Sequence, residues 1–184
     1  MYTPSNGKVK RIAIVGPECT GKTDLSMALA EHYETVWVPE YARGYIGRLD
    51  RPYQQADLYT IAQWQLFTED ELALKANMLL ICDTDLTVIK VWSEFKYGNC
   101  DAKILSMMKS RRYDLHLLTG IDIPWENDPQ REHPDKREYF YNLYKNELLA
   151  QGITPVEISG DRQTRKALAI AAIDALANPN RLTT

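Results

Sequence analysis

Residues Gly16 to Thr23 read Gly-Pro-Glu-Cys-Thr-Gly-Lys-Thr, and this Gly-x-x-x-x-Gly-Lys-Thr pattern constrains the fold more than any other stretch of the chain. It follows a short β-branched run, Val9 to Val15 (VKRIAIV). It opens a segment, Lys22 to Tyr33, that carries Leu25, Ala28, Leu29 and Tyr33 at helical spacing. Strand, tight loop and helix in that order turn successive backbone N–H groups inward at a helix N-terminus, which makes a concave anion site. A polyphosphate fits it, with Lys22 reaching the β- and γ-phosphates and the Thr23 hydroxyl ligating Mg²⁺. Gly16, Pro17, Glu18, Cys19, Thr20, Gly21, Lys22 and Thr23 are therefore the expected residues of an ATP-binding P-loop. If the turn bound nothing, the helix dipole would oppose Lys22 by about 0.3–1 kcal/mol, so the lysine itself argues for an anion.

The rest of the chain repeats the strand–helix rhythm. Strands are expected at Thr35 to Val38, Met78 to Cys82, Tyr113 to Leu118 and Thr154 to Ile158. Helices are expected over Gln54 to Ala76 (one or two), Asp85 to Phe95, Asp101 to Ser110, Tyr139 to Ala150 and Thr164 to Leu176. The run MLLIC at 78–82 lacks polar alternation, as a strand covered on both faces would. These elements predict one α/β domain over residues 1–184, with a doubly wound, mostly parallel five-stranded sheet and helices on both faces. Asp122 to Lys136 breaks the rhythm with three prolines and dense mixed charge. Such a stretch is either a functional lid or a solvated connector.

Several side chains fall where such a sheet binds ligands, beyond the carboxyl ends of its strands. Asp83 and Asp85 stand where MLLIC ends. Asp83 is a candidate for the metal or its water shell, and Asp85 either lies near the acceptor or caps the next helix. Glu40 and Arg43 follow the second strand as an acceptor-binding pair or a solvated salt bridge. In the excursion, Arg131 and Arg137 either swing over the triphosphate or stay on the surface. Trp92, Tyr97, Tyr45 and Trp125 could sandwich a base or a cationic ring, and core packing is the alternative for each.

The formal net charge of −3 gives no basic field for nucleic acid. Three scattered cysteines without metal-ligand spacing, no signal-peptide core and no long apolar run lead to the expectation of a reduced, cytoplasmic protein away from membranes.

The strings GPECTGKT, VPEYAR, CDTDLTVIKVWSEFKYG and YDLHLLTGIDIPWENDPQRE resemble, in order and spacing, the ribosylnicotinamide kinase domain of bacterial NadR-type proteins. The resemblance covers nearly the whole chain. It implies a fold similar to nucleoside and nucleotide kinases, with the Asp83 strand beside the P-loop strand. It also implies transfer of the ATP γ-phosphate to the 5′-hydroxyl of nicotinamide riboside, giving nicotinamide mononucleotide for NAD salvage. On that basis Gly16 to Thr23 bind ATP, and Asp83 acts near Mg²⁺ and the acceptor hydroxyl. Glu40, Arg43, Asp85, Trp92 and Tyr97 become acceptor-site candidates, and Arg131 and Arg137 become lid candidates. A cationic nicotinamide ring gives Trp92 and Tyr97 a physical role.

NadR-type proteins characteristically carry an adenylyltransferase domain before the kinase. This chain starts a few residues before its first strand, so the expectation is that it makes the mononucleotide but not NAD, and that it does not repress transcription. The rival readings are a kinase for another nucleoside or nucleotide, a nucleotide-hydrolysing switch, and a module that binds ATP without turnover. Against a GTPase switch, the sequence shows neither D-x-x-G after the loop nor N-K-x-D.

Overall fold

A computed structural model of the chain describes residues 9–177. Its centre is the strand after which the glycine loop hangs. Strand β1 (Lys10–Val15) has Ile12, Ala13, Ile14 and Val15 fully buried, because helices cover it on both sides. Each large apolar side chain sequestered this way contributes roughly 1.5–3 kcal/mol. β1 pairs in parallel with β3 (Leu79–Asp83), with Ile14 opposite Asp83. It also pairs in parallel with β4 (Leu115–Thr119), with Ile14 opposite Leu117. β2 (Trp37–Val38) and β5 (Val156–Ile158) complete a parallel five-stranded sheet in the order β2-β3-β1-β4-β5. The sequence expectation of a doubly wound parallel sheet is met.

The pleat divides the core. Ile12, Ile14, Leu79, Ile81 and Leu117 face α1 (Lys22–His32) and α7 (Arg162–Ala177). Ala13, Val15 and Leu118 face α4 (Leu86–Tyr97) and, further on, α6 (Arg137–Ala150), meeting Val88, Val91, Phe140, Tyr144 and Leu148. A third cluster joins α3 (Gln55–Ala73) to α4 and α5 (Ala102–Ser110). α3 is one continuous helix, started by a reciprocal cap in which Asp57 accepts the Gln54 N–H at 2.7 Å.

Two departures from the sequence reading bear on the site. Residues Tyr41–Ile46 form a helix, α2, that is not among the helices expected from the sequence, so Glu40 is its N-cap position and Arg43 lies within it. Arg137 is the first residue of α6, after a short 3₁₀ turn at Pro134–Lys136, and not part of the irregular excursion. α2 is only six residues long and buries none of them, too little to be legible from periodicity, whereas α6 was expected from Tyr139 and begins two residues earlier. Among the described residues, no helix is long and apolar enough to cross a membrane.

Candidate active site

The loop between β1 and α1 turns by backbone conformations that most side chains resist. Cys19 (φ 54) and Gly21 (φ 74) are left-handed, and Gly16 sits at φ 145. A Cβ on Gly16 would lie 2.3 Å from Thr119 Oγ1 and 3.0 Å from the Thr119 carbonyl, so β4 is packed against the first turn of the loop. The Thr119 hydroxyl donates to the Val15 carbonyl at 3.1 Å and stands 2.7 Å from the Thr20 hydroxyl. Arg165 of α7, 5% exposed, ties the other end. It donates to the carbonyls of Thr20 (2.8 Å), Gly160 (2.8 Å) and Gly120 (3.1 Å) and pairs with Asp122. The sequence reading missed Thr119 and Arg165, which lie far from the loop in the chain and are brought to it only by the parallel crossovers.

Lys22 folds back over the loop, donating to the carbonyls of Gly16 (3.0 Å) and Pro17 (2.8 Å). The next residue, Thr23, donates its hydroxyl to Asp83 Oδ2 at 2.6 Å. Asp83 is 1% exposed, and its other oxygen, Oδ1, is buried without a partner. Burial pushes the Asp83 carboxyl above the usual aspartate range, against the opposing pull of Lys22, the Thr23 hydroxyl and Arg43. The adjacency of the Asp83 strand and the loop strand, expected from the family resemblance, is thus present.

Asp85 points elsewhere. Its Oδ1 accepts the Thr87 N–H at 2.8 Å, and its Oδ2 accepts the Thr87 hydroxyl at 3.0 Å and lies 3.0 Å from His116 Nε2. The capping alternative therefore describes the observed contacts, and the acceptor-facing expectation for Asp85 is not met. Its buried partner His116 had no assigned role in the sequence. One left-handed residue separates the paths of Asp83 and Asp85, since Thr84 between them has φ 88. Spacing alone could not reveal that divergence.

Beside the loop lies a cavity of about 70 Å³, bounded by Glu18, Glu40, Arg43, Gln65, Thr84 and Trp92 over an apolar floor of Leu58, Ile61 and Ile89. It is a fraction of the roughly 300 Å³ at which small-molecule pockets usually begin, so an acceptor enters only if its cover moves. A larger cavity of about 480 Å³ lies between α4, α5 and α6, and Asp85, Lys90 and His116 are on its wall. No residue of the loop at 16–23 lines that larger space, whereas Glu18 lines the smaller one.

Burial raises the carboxyls of both Glu18 and Glu40, with Lys22 opposing the rise. Glu18 Oε1 is buried and unpartnered. Arg43, by contrast, is committed to the Asp128 carboxylate. Trp92 donates its indole N–H to the Tyr144 hydroxyl at 3.0 Å, which fixes its ring at the cavity edge. Tyr97 does not line this cavity. Its hydroxyl donates to the Tyr53 carbonyl at 3.1 Å within the α3–α5 cluster, which is the packing alternative. Tyr45 is likewise structural, donating to Asp57 at 3.0 Å.

The excursion at 122–136 lies over the loop and is pinned to it from several sides. Glu18 Oε2 accepts the backbone N–H groups of Glu132 (3.0 Å) and His133 (3.4 Å). Arg131 approaches Cys19 Sγ at 3.1 Å and donates to the Glu126 carbonyl at 2.6 Å. Arg137 donates to the carbonyls of Cys19 (3.0 Å) and Ile123 (2.9 Å). From α2, Arg43 holds Asp128, and its carbonyl accepts from Gln130 at 3.3 Å. Trp125 rides on this segment, with the Arg131 guanidinium 6.0 Å from its ring. Both arginines meet the phosphate loop through its carbonyl or sulfur atoms.

Residues 11–165 match the AAA domain family. The chain belongs to that family. This AAA domain is 27% identical over 166 residues to the trifunctional NAD biosynthesis/regulator protein NadR of Salmonella typhimurium (strain LT2), an alignment covering 85% of the chain and 40% of NadR. The AAA domain thus spans well under half the length of that relative. Its fold is similar to a solved structure of NadR protein in complex with NR, with a TM-score of 0.76 at 21% identity, over 92% of this chain and 51% of that one. A structure of NadR protein with NAD and AMP-PNP gives 0.75 at 20% identity, over 92% and 50%.

Proposed function

We propose that this domain is a nucleoside kinase that transfers the γ-phosphate of ATP to the 5′-hydroxyl of nicotinamide riboside. The observation that carries the reading is the pair of carboxyls that share the cavity with Trp92. Glu18 and Glu40 crowd it, its one arginine is spent on Asp128, and Trp92 stands at its edge. Such a pocket favours a positively charged ring, which an uncharged nucleoside base does not offer. The NadR relatives and the NadR structures with NR and with AMP-PNP support the same reading.

The loop amides of Gly16 to Thr23 hold the triphosphate, and Lys22 leaves the Gly16 and Pro17 carbonyls for the phosphates. Asp83 Oδ1 accepts and orients the 5′-hydroxyl proton, while oxygen lines up with phosphorus. Arg131 and Arg137, on the closed lid, offset charge on the departing phosphoryl group. Thr23 Oγ1 and Asp83 Oδ2 offer two adjacent hard oxygen donors. That suits Mg²⁺, an ion commonly held by one or two protein oxygens plus phosphates and water. When bound, Mg²⁺ supplies neutralisation of the β- and γ-oxygens.

The test is a steady-state ATP assay against nicotinamide riboside, uridine, thymidine and common monophosphates, with products identified by mass. Nicotinamide mononucleotide should be the main product, and Lys22→Ala should abolish it while the fold persists. Preferential phosphorylation of thymidine or a monophosphate would replace this acceptor, and near-normal Lys22→Ala turnover would remove the loop from the chemistry.

A further inference from the structure

Gln65 sits on α3 at the cavity wall and is 1% exposed. Its Oε1 accepts the Tyr41 backbone N–H at 2.9 Å. That bond fixes the amide's orientation, because a backbone N–H can be met only by the oxygen. The amide nitrogen Nε2, with two N–H donors, is left buried and without a partner. A buried donor in that state is costly and uncommon, and the nearby walls of Leu58, Ile61 and Ile89 offer it no acceptor. The polar groups that share the cavity, Glu18, Glu40 and Thr84 among them, make no hydrogen bond to it either, so an occupant of the cavity is placed to supply the acceptor.

We propose that Gln65 reads the acceptor by donating from Nε2 to an exocyclic carbonyl oxygen on its ring, an inference that rests on the nucleoside-kinase reading above. The matching ligand class is a nucleoside whose ring bears an exocyclic carbonyl or carboxylate oxygen, which includes the pyridine riboside named in that reading and excludes adenosine. Both groups present an oxygen to an amide donor, whereas the adenine ring of adenosine presents no carbonyl. The wild-type site accordingly accepts the riboside of nicotinic acid as well as that of nicotinamide.

Two variants separate this role from packing. Gln65→Leu removes the donor together with the Tyr41 contact. Gln65→Glu keeps an oxygen for Tyr41 and nearly the same volume, but turns a second oxygen toward the cavity. The measurement is KM and kcat with nicotinamide riboside, nicotinic acid riboside and adenosine, beside KM for ATP and ATP-induced thermal protection as a check of fold.

Wild type should use both pyridine ribosides and discriminate against adenosine. Gln65→Leu should raise KM for both ribosides about tenfold or more, with KM for ATP unmoved. Gln65→Glu should retain nicotinamide riboside, whose carboxamide can turn its NH₂ toward the new oxygen. It should lose nicotinic acid riboside, whose carboxylate meets like charge. Unchanged riboside KM values in both variants, or a Gln65→Glu variant that treats the two ribosides alike, would overturn the role of Gln65 alone. A wild-type chain that phosphorylates neither pyridine riboside would bring down the kinase reading and this inference together.

Discussion

Thr23 of α1 and Asp83 of β3 meet across 60 residues of sequence, hydroxyl to carboxylate at 2.6 Å, and leave Asp83 Oδ1 buried and free. Asp83→Asn keeps the shape and removes the carboxylate proposed as base. Turnover should fall by roughly 10²-fold or more, with ATP affinity changed only a few-fold. Because burial raises the carboxyl, the acid limb of the kcat/KM profile should lie above the ordinary aspartate value of about 3.9, activity falling as pH drops through it. A loss expressed in ATP affinity, or a limb absent from the profile, would move Asp83 out of the transition state.

Asp85 should behave differently, since its oxygens are engaged by Thr87 and His116. Asp85→Ala removes an N-cap and strands a buried histidine. The expected cost is about 1–3 kcal/mol in urea unfolding. Turnover at a temperature where the variant is folded should exceed that of Asp83→Asn, and equal catalytic losses would restore Asp85 to the acceptor site.

The excursion at 122–136 is clasped from α2 and from the phosphate loop. Arg43→Ala frees Asp128, and Arg137→Ala frees Ile123 and the Cys19 carbonyl. Both variants should hasten protease cleavage between residues 122 and 136. Arg137→Ala should also lower kcat by about 10-fold or more. Unaltered cleavage in both would mean that other contacts hold the segment closed.

Gly16→Ala tests how tightly β4 backs the loop. The new methyl meets not only the Thr119 hydroxyl but its backbone, at 3.0 Å to the carbonyl and 3.3 Å to the nitrogen. Trimming the side chain with Thr119→Ala should therefore fail to rescue it. The single variant should lose about 2–3 kcal/mol in thermal or urea melts. A near-native melt would mean that loop and strand separate easily.

Glu69 supplies a stability switch away from the site. It is fully buried, accepts the Tyr113 hydroxyl at 2.8 Å, and burial pushes its carboxyl up to about 7. The folded state thus holds a proton that the unfolded chain, near the ordinary glutamate value of 4.5, releases earlier. Its contribution is complete below that value and lost as pH rises through about 7. The span corresponds to about 3 kcal/mol at most. Glu69→Gln should flatten unfolding free energy between pH 5 and 8, and an unchanged slope would assign the dependence to other groups.

The sequence by itself determined the phosphate loop, the strand that carries it and the parallel α/β architecture. Those features are local: a glycine pattern, a β-branched run and an unbroken apolar strand each leave a signature within about ten residues. The tertiary structure decided which side chains face the loop. Thr119, Arg165 and Gln65 arrive from separate crossovers, and Asp83 and Asp85 part company through one left-handed residue, Thr84. No periodicity in a single chain encodes such meetings. They follow from the order of strands in the sheet, and that order is set by packing between segments distant in sequence.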